Sequence, residues 1–142
     1  RSQKPEVQKE IYMIGHEANY MSLQKNKDYI MDRFFYTTII RLNYELGKSP
    51  QETVSEILKI SLEPTAIIFL RLTEEKIKQR LIQRNDIDMF DKKFFNYETE
   101  VFIKLSEIYD KMIIVDNNDT IDKTMINIDN ALKNKKLYLK RR

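Results

Sequence analysis

Apolar residues recur at spacings of three and four over residues 5–25, where Val7, Ile11, Ile14, Ala18 and Met21 share one side of a predicted helix. The pattern changes at residues 29–31. Tyr-Ile-Met is a short apolar run that stops at Asp32-Arg33, which predicts a buried parallel strand delivering polar groups to a sheet edge. Helical spacing returns over residues 34–46, and Gly47 stops it. Ser49 then reads as an N-cap, with Pro50 at the first helical position and Glu52 at the third. Val54, Ile57, Leu58 and Leu62 form that helix's apolar side, and Glu63-Pro64 ends it.

Residues 65–72 are the clearest strand, an unbroken apolar run of the type buried on both faces. Thr73 caps the next helix, with Ile77, Leu81 and Ile82 facing inward. Residues 85–88 are a polar break, and residues 91–110 are helical again. A third strand covers residues 112–115, a turn residues 116–119, and a final helix residues 120–136. Strands alternating with helices predict an α/β domain: a parallel sheet with helices on both faces, spanning residues 1–142 as one unit. Three strands make a thin sheet, so part of a larger domain is expected to be missing.

Composition narrows the function classes. There is no Cys, which excludes a disulfide framework and a thiol nucleophile. No apolar run approaches the ~20 residues of a membrane span, and the polar first ten residues are not a signal peptide. A cytoplasmic setting is the expectation. The 25 Lys and Arg exceed the 22 Asp and Glu by three, and much of that excess lies in the basic tail of residues 133–142. A solvated helix end accounts for the tail better than nucleic-acid binding. Two glycines cannot supply a dinucleotide fingerprint, and a single His, His16, cannot build a metal site.

Three predicted strand ends carry polar groups: Asp32-Arg33, Arg71 with the later Arg80 and Arg84, and Asp116-Asn117-Asn118. In a parallel sheet these ends share one edge. Arg33, Arg80 and Arg84 are therefore expected to face a common phosphate-rich site, and phosphoryl transfer needs such cations. The plainer alternatives are a strand-end ion pair for Asp32-Arg33 and a solvated helix face for Arg80 and Arg84, with Glu75 or Glu100 nearby.

The order of these pieces resembles the thymidylate kinase and deoxynucleoside kinase superfamily, from about residue 10 to residue 132. Asp32-Arg33-Phe34-Phe35-Tyr36-Thr37-Thr38 resembles the Asp-Arg-Tyr-x-x-Ser-Thr segment of thymidylate kinases. Pro64-Thr65-Ala66-Ile67-Ile68-Phe69-Leu70 is similar to their Pro-Asp-Leu-x-x-x-Leu strand. Arg80-Leu81-Ile82-Gln83-Arg84 looks like the Arg-x-x-x-Arg leading into the lid, and Phe90-Asp91 like the lid's Phe-Glu. The triplet Leu70-Arg71-Leu72 looks more like the deoxynucleoside kinase branch.

The resemblance implies a three-layer P-loop NTPase-like fold and a kinase that uses ATP and Mg2+, most like dTMP kinase (dTMP + ATP to dTDP + ADP). By it, Asp32 would position magnesium or activate the acceptor, and Arg33 would hold the acceptor's phosphate. Phe34, Thr37 and Thr38 would line the acceptor pocket, with Glu17 at a helix position that usually carries Arg. Arg80 would flank the adenine and Arg84 reach the phosphates, with Asn117 and Asn118 near the adenine. A homodimer is implied too, with the helix of residues 5–25 as its face. No G-x-x-x-x-G-K-[ST] occurs. In the family that loop precedes the matched region, so the chain is expected to be a piece lacking the first strand, the phosphate loop and the first helix. A deoxynucleoside kinase and a non-catalytic P-loop-like binding or scaffold domain are the alternatives.

Overall fold

The structure is a computed structural model that describes residues 4–23, 27, 29–32, 35–60 and 64–135. The chain divides into two units, Arg1–Ile60 and Ser61–Arg142.

The first unit is helical. Helix α1 (Pro5–Met21) packs on α2 (Phe35–Glu45), which packs on α3 (Pro50–Ile57). Phe35, Ile39 and Ile40 of α2 and Val54 of α3 are fully buried, so the apolar stripe of α2 is the centre of this core. Helix α2 ends as the sequence predicts. Gly47 has φ +70°, the Lys48 amide donates to the Asn43 carbonyl at 2.9 Å, and the Gly47 amide donates to the Tyr44 carbonyl at 3.0 Å. This double closure of the last turn needs a left-handed residue, which glycine supplies without steric cost. The predicted cap of α3 is present: the Glu52 amide donates to Ser49 Oγ at 3.3 Å, and the Ser49 amide donates to Glu52 Oε2 at 2.8 Å. Helix α3 stops at Ile57, short of the expected end; Val54 and Ile57 are buried, Leu58 is exposed, and Leu62 lies outside the described residues.

One expectation fails in this unit. Residues 29–31 form no strand, and Ile30 is 98% exposed. A three-residue apolar run gains nothing from extension without a neighbouring strand, and the sheet among the described residues holds only two strands, neither of which includes it. Helix α1 packs by its more polar side. Gln8, Lys9, Met13, His16 and Tyr20 are its half-buried side, while Val7, Ile11, Ile14, Ala18 and Met21 are exposed. Polar anchors decide the orientation: Lys9 and His16 find specific partners on α2, and the apolar stripe is left outward.

The second unit holds a parallel pair of strands, β1 (Ile67–Arg71) and β2 (Met112–Asp116), in register from Ile67 opposite Met112 to Arg71 opposite Asp116. Between them run α4 (Glu74–Gln83), a 3-10 turn (Ile87–Met89) and α5 (Lys92–Ile108), and α6 (Ile121–Asn134) follows β2. Thr73, Asp91 and Thr120 cap the three helices by accepting from backbone amides in the first turn. Both α5 and α6 pack on β2, whose Met112, Ile113 and Val115 are buried. Phe69 stacks on Phe102 of α5 with ring centroids 4.2 Å apart. The sheet among the described residues has two strands, so the α/β class holds and the expected third strand does not form. Strand β1 is covered on one face only, since Ile68 and Leu70 are exposed, and Ile82 of α4 is 59% exposed where it was expected inside. Among the described residues no helix is long and apolar enough to cross a membrane.

Candidate functional site

The carboxyl edge of the β1–β2 pair is built by two turns that bind each other. The sheet's last register pair is also an ion pair, with Arg71 Nη2 donating to Asp116 Oδ1 at 2.9 Å. The Asn117 amide then donates to the Arg71 carbonyl at 2.8 Å, extending the ladder one residue past the strand. The Thr73 amide donates to Asn118 Oδ1 at 2.8 Å, so the turn entering α4 is fastened to the turn entering α6. Arg80 reaches across from α4, and its Nη2 donates to the Asn117 carbonyl at 2.9 Å. Thr124, buried on α6, places its hydroxyl 3.0 Å from Asn117 Oδ1.

Arg80, Asn117 and Asn118 are thus brought together on the edge where parallel sheets place ligands. The N-termini of α4 and α6 open there, each with one first-turn amide already taken by its capping threonine. One nitrogen of Arg80 is committed to a carbonyl, which fixes the guanidinium and leaves its other donors available. Arg84 is the C-cap residue of α4: its amide donates to the Leu81 carbonyl at 3.1 Å, while its side chain is exposed and makes no hydrogen bond or ion pair to a described residue. The solvated ion pair considered for Arg80 does not form, since its partner is a main-chain oxygen. Glu74, in the first turn of α4, is held below the usual carboxylate range by hydrogen bonds from Lys78 and Lys92.

The remaining predicted residues belong to the first unit. Arg33 and Phe34 lie outside the described residues. Asp32 sits in a turn rather than at a strand end, exposed and without a partner among the described residues. One open carboxylate suits magnesium, which binds through one or two carboxylates while keeping waters and substrate phosphates. Thr37 and Thr38 lie in the first turn of α2, and both are half-buried. Thr38 Oγ1 is 3.1 Å from His16 Nε2, and His16 leans on Phe35 with ring centroids 6.4 Å apart. His16 is therefore a packing residue with a satisfied nitrogen. Glu17 is exposed on α1.

Sequence reasoning missed one cluster. Asn43 and Thr53 are fully buried in the first unit. Lys9 Nζ donates to Asn43 Oδ1 at 2.8 Å, and Asn43 Nδ2 donates to Thr53 Oγ1 and to Glu56 Oε2, each at 3.1 Å. Lys9 and Lys48 both pair with Glu56. Burial pushes the Glu56 carboxyl upward, but hydrogen bonds from Lys9, Lys48 and Asn43 outweigh it and hold it at about 2. Burial holds Lys9 below its ordinary value despite Glu56 beside it, whereas Glu56 raises the more exposed Lys48. A groove of about 480 Å³ opens beside this cluster, lined by Glu6, Lys9, Glu10, Met13, Leu46 and Lys48. None of its lining residues was expected in a site. Lys9, Asn43 and Glu56 are separated by 34 and 13 residues, so no local motif could have revealed them.

No known protein family, curated protein or solved structure matches this chain.

Proposed function

We propose that the chain is part of an ATP-dependent nucleotide kinase acting in the cytoplasm, most like dTMP kinase, with the β1–β2 carboxyl edge on its adenine side. The observation that carries this reading is Arg80 fixed on the Asn117 carbonyl at that edge. A held guanidinium keeps its planar face and remaining N–H groups set for a base or a phosphate, at little further entropic cost. Arg84, one turn further on, is the uncommitted cation that would reach the phosphates. Asp32 would hold magnesium, which when bound neutralises phosphate charge. In the first unit, taken by itself, the resemblance would assign Arg33 to the acceptor's phosphate and Phe34, Thr37 and Thr38 to the acceptor.

The test is ADP release by the full-length protein with ATP, Mg2+ and a panel of nucleoside monophosphates and deoxynucleosides. Turnover with dTMP supports the reading, and turnover with nucleosides alone supports the deoxynucleoside kinase branch. Arg33→Ala and Arg84→Ala each lose about 10²-fold in turnover or more, as removal of one transition-state donor does elsewhere. Unchanged rates in either variant refute the assignment.

The lack of a G-x-x-x-x-G-K-[ST] motif in this sequence favours a second reading, a non-catalytic P-loop-like binding domain. ATP binding without ADP release by the full-length protein selects it.

A further inference from the structure

We propose that the outward face of α1 is a docking site for a basic amphipathic helix of a partner protein, independent of any kinase activity. Val7, Ile11, Ile14, Ala18 and Met21 are spaced four, three, four and three apart, the seam of a two-helix coiled coil, and extend about 21 Å along the helix. All five are exposed, from 43% at Val7 to 73% at Met21 among the large ones. The opposite side of the same helix is already satisfied by α2, so this stripe is surplus to the fold of the first unit.

Two further observations describe the occupant. The seam's edges differ in charge. Glu6, Glu10 and Glu17 line one edge, all exposed and none ion-paired with a described residue, while Gln8, Gly15 and Asn19 line the other. An antiparallel second copy would set acidic edge against acidic edge. A parallel second copy would set it against the neutral edge and gain nothing from charge. A partner helix flanked by Lys or Arg gains opposite Glu6, Glu10 and Glu17, and an anionic lipid surface is repelled. The other observation is Gly15, in mid-helix beside Ile11 and Ala18. A Cβ there would meet nothing within 4 Å, so the fold of this chain gives no reason for a residue that costs a helix about 1 kcal/mol relative to Ala. Close approach of a second helix gives one.

The experiment titrates the full chain into two fluorescein-labelled synthetic helices, followed by anisotropy. Both carry Leu at the seam positions; one carries Lys and the other Glu at the flanking positions. The Lys peptide binds about tenfold tighter or better at low salt, and the difference shrinks as salt rises. Because the chain's net charge is +3, a diffuse attraction would give the opposite order. Ile14→Asp weakens binding by about tenfold or more with an unchanged circular dichroism spectrum. Gly15→Leu leaves the thermal midpoint equal or higher yet weakens binding, which a purely structural glycine would not do. The double variant E10K/E17K reverses the peptide preference. Equal affinity for both peptides, no binding to either, or a dimer in sedimentation that Ile14→Asp dissolves overturns the proposal.

Discussion

Arg80 and Asn117, 37 positions apart, meet where a guanidinium nitrogen of α4 donates to the main-chain oxygen of the turn after β2 at 2.9 Å. A charged donor on a carbonyl is worth more than a neutral pair, less the share lost to solvent at a half-buried site. Arg80→Ala is expected to cost about 1 kcal/mol of stability in urea denaturation. Arg84→Ala, with an exposed side chain and no partner among the described residues, stays within about 0.5 kcal/mol of wild type. A turnover loss in Arg84→Ala would then arise from the reaction and not from the fold.

Asn43 is fully buried and bridges Lys9, Thr53 and Glu56. Replacing it with Leu leaves Lys9 and Glu56 short of a partner and fits the volume poorly. The expected loss is about 2–4 kcal/mol, read as a lower urea midpoint.

Acid weakens the same cluster. Glu56 titrates at about 2 in the folded chain against an ordinary value of 4.5. The folded state therefore binds fewer protons than the unfolded state between these values. The contribution of Glu56 is complete above pH 4.5 and is lost as pH falls from there through 2. Calorimetric melting from pH 7 to 2 should show the midpoint dropping across that window. Glu56→Gln should lower the midpoint at pH 7 and remove this part of the drop.

Gly47 tests the end of α2. A Cβ there would meet no atom within 4 Å, so Gly47→Ala introduces no clash, only the cost of φ +70°. That cost is about 1 kcal/mol, measurable as a lower thermal midpoint.

Helix ends were the most legible part of the sequence, because capping is local chemistry. Ser49 and Thr73 each lie within three residues of the amide they bind. Ile67–Arg71 and Met112–Asp116 were legible as continuous apolar runs, though Ile68 and Leu70 turned out to face outward. What was not legible depended on distant partners. Residues 29–31 have strand-like composition and no strand to pair with. Helix α1 carries two stripes at helical spacing, and the one with Lys9 and His16 is inward because Asn43 and Thr38 wait 34 and 22 residues later. At the candidate site, only the family resemblance put Arg80 near Asn117; position along the strands grouped Arg80 with Arg33 and Arg84 instead. Nothing local foretold that a carbonyl would be the acceptor.

Glu56 sits on α3, Lys9 on α1 and Asn43 on α2, so one carboxylate is shared by all three helices of the first unit. Peeling any helix away strands a charge or an amide in the space it vacates. The unit therefore resists stepwise fraying, and amide protons of α2 and α3 should exchange with a common opening free energy.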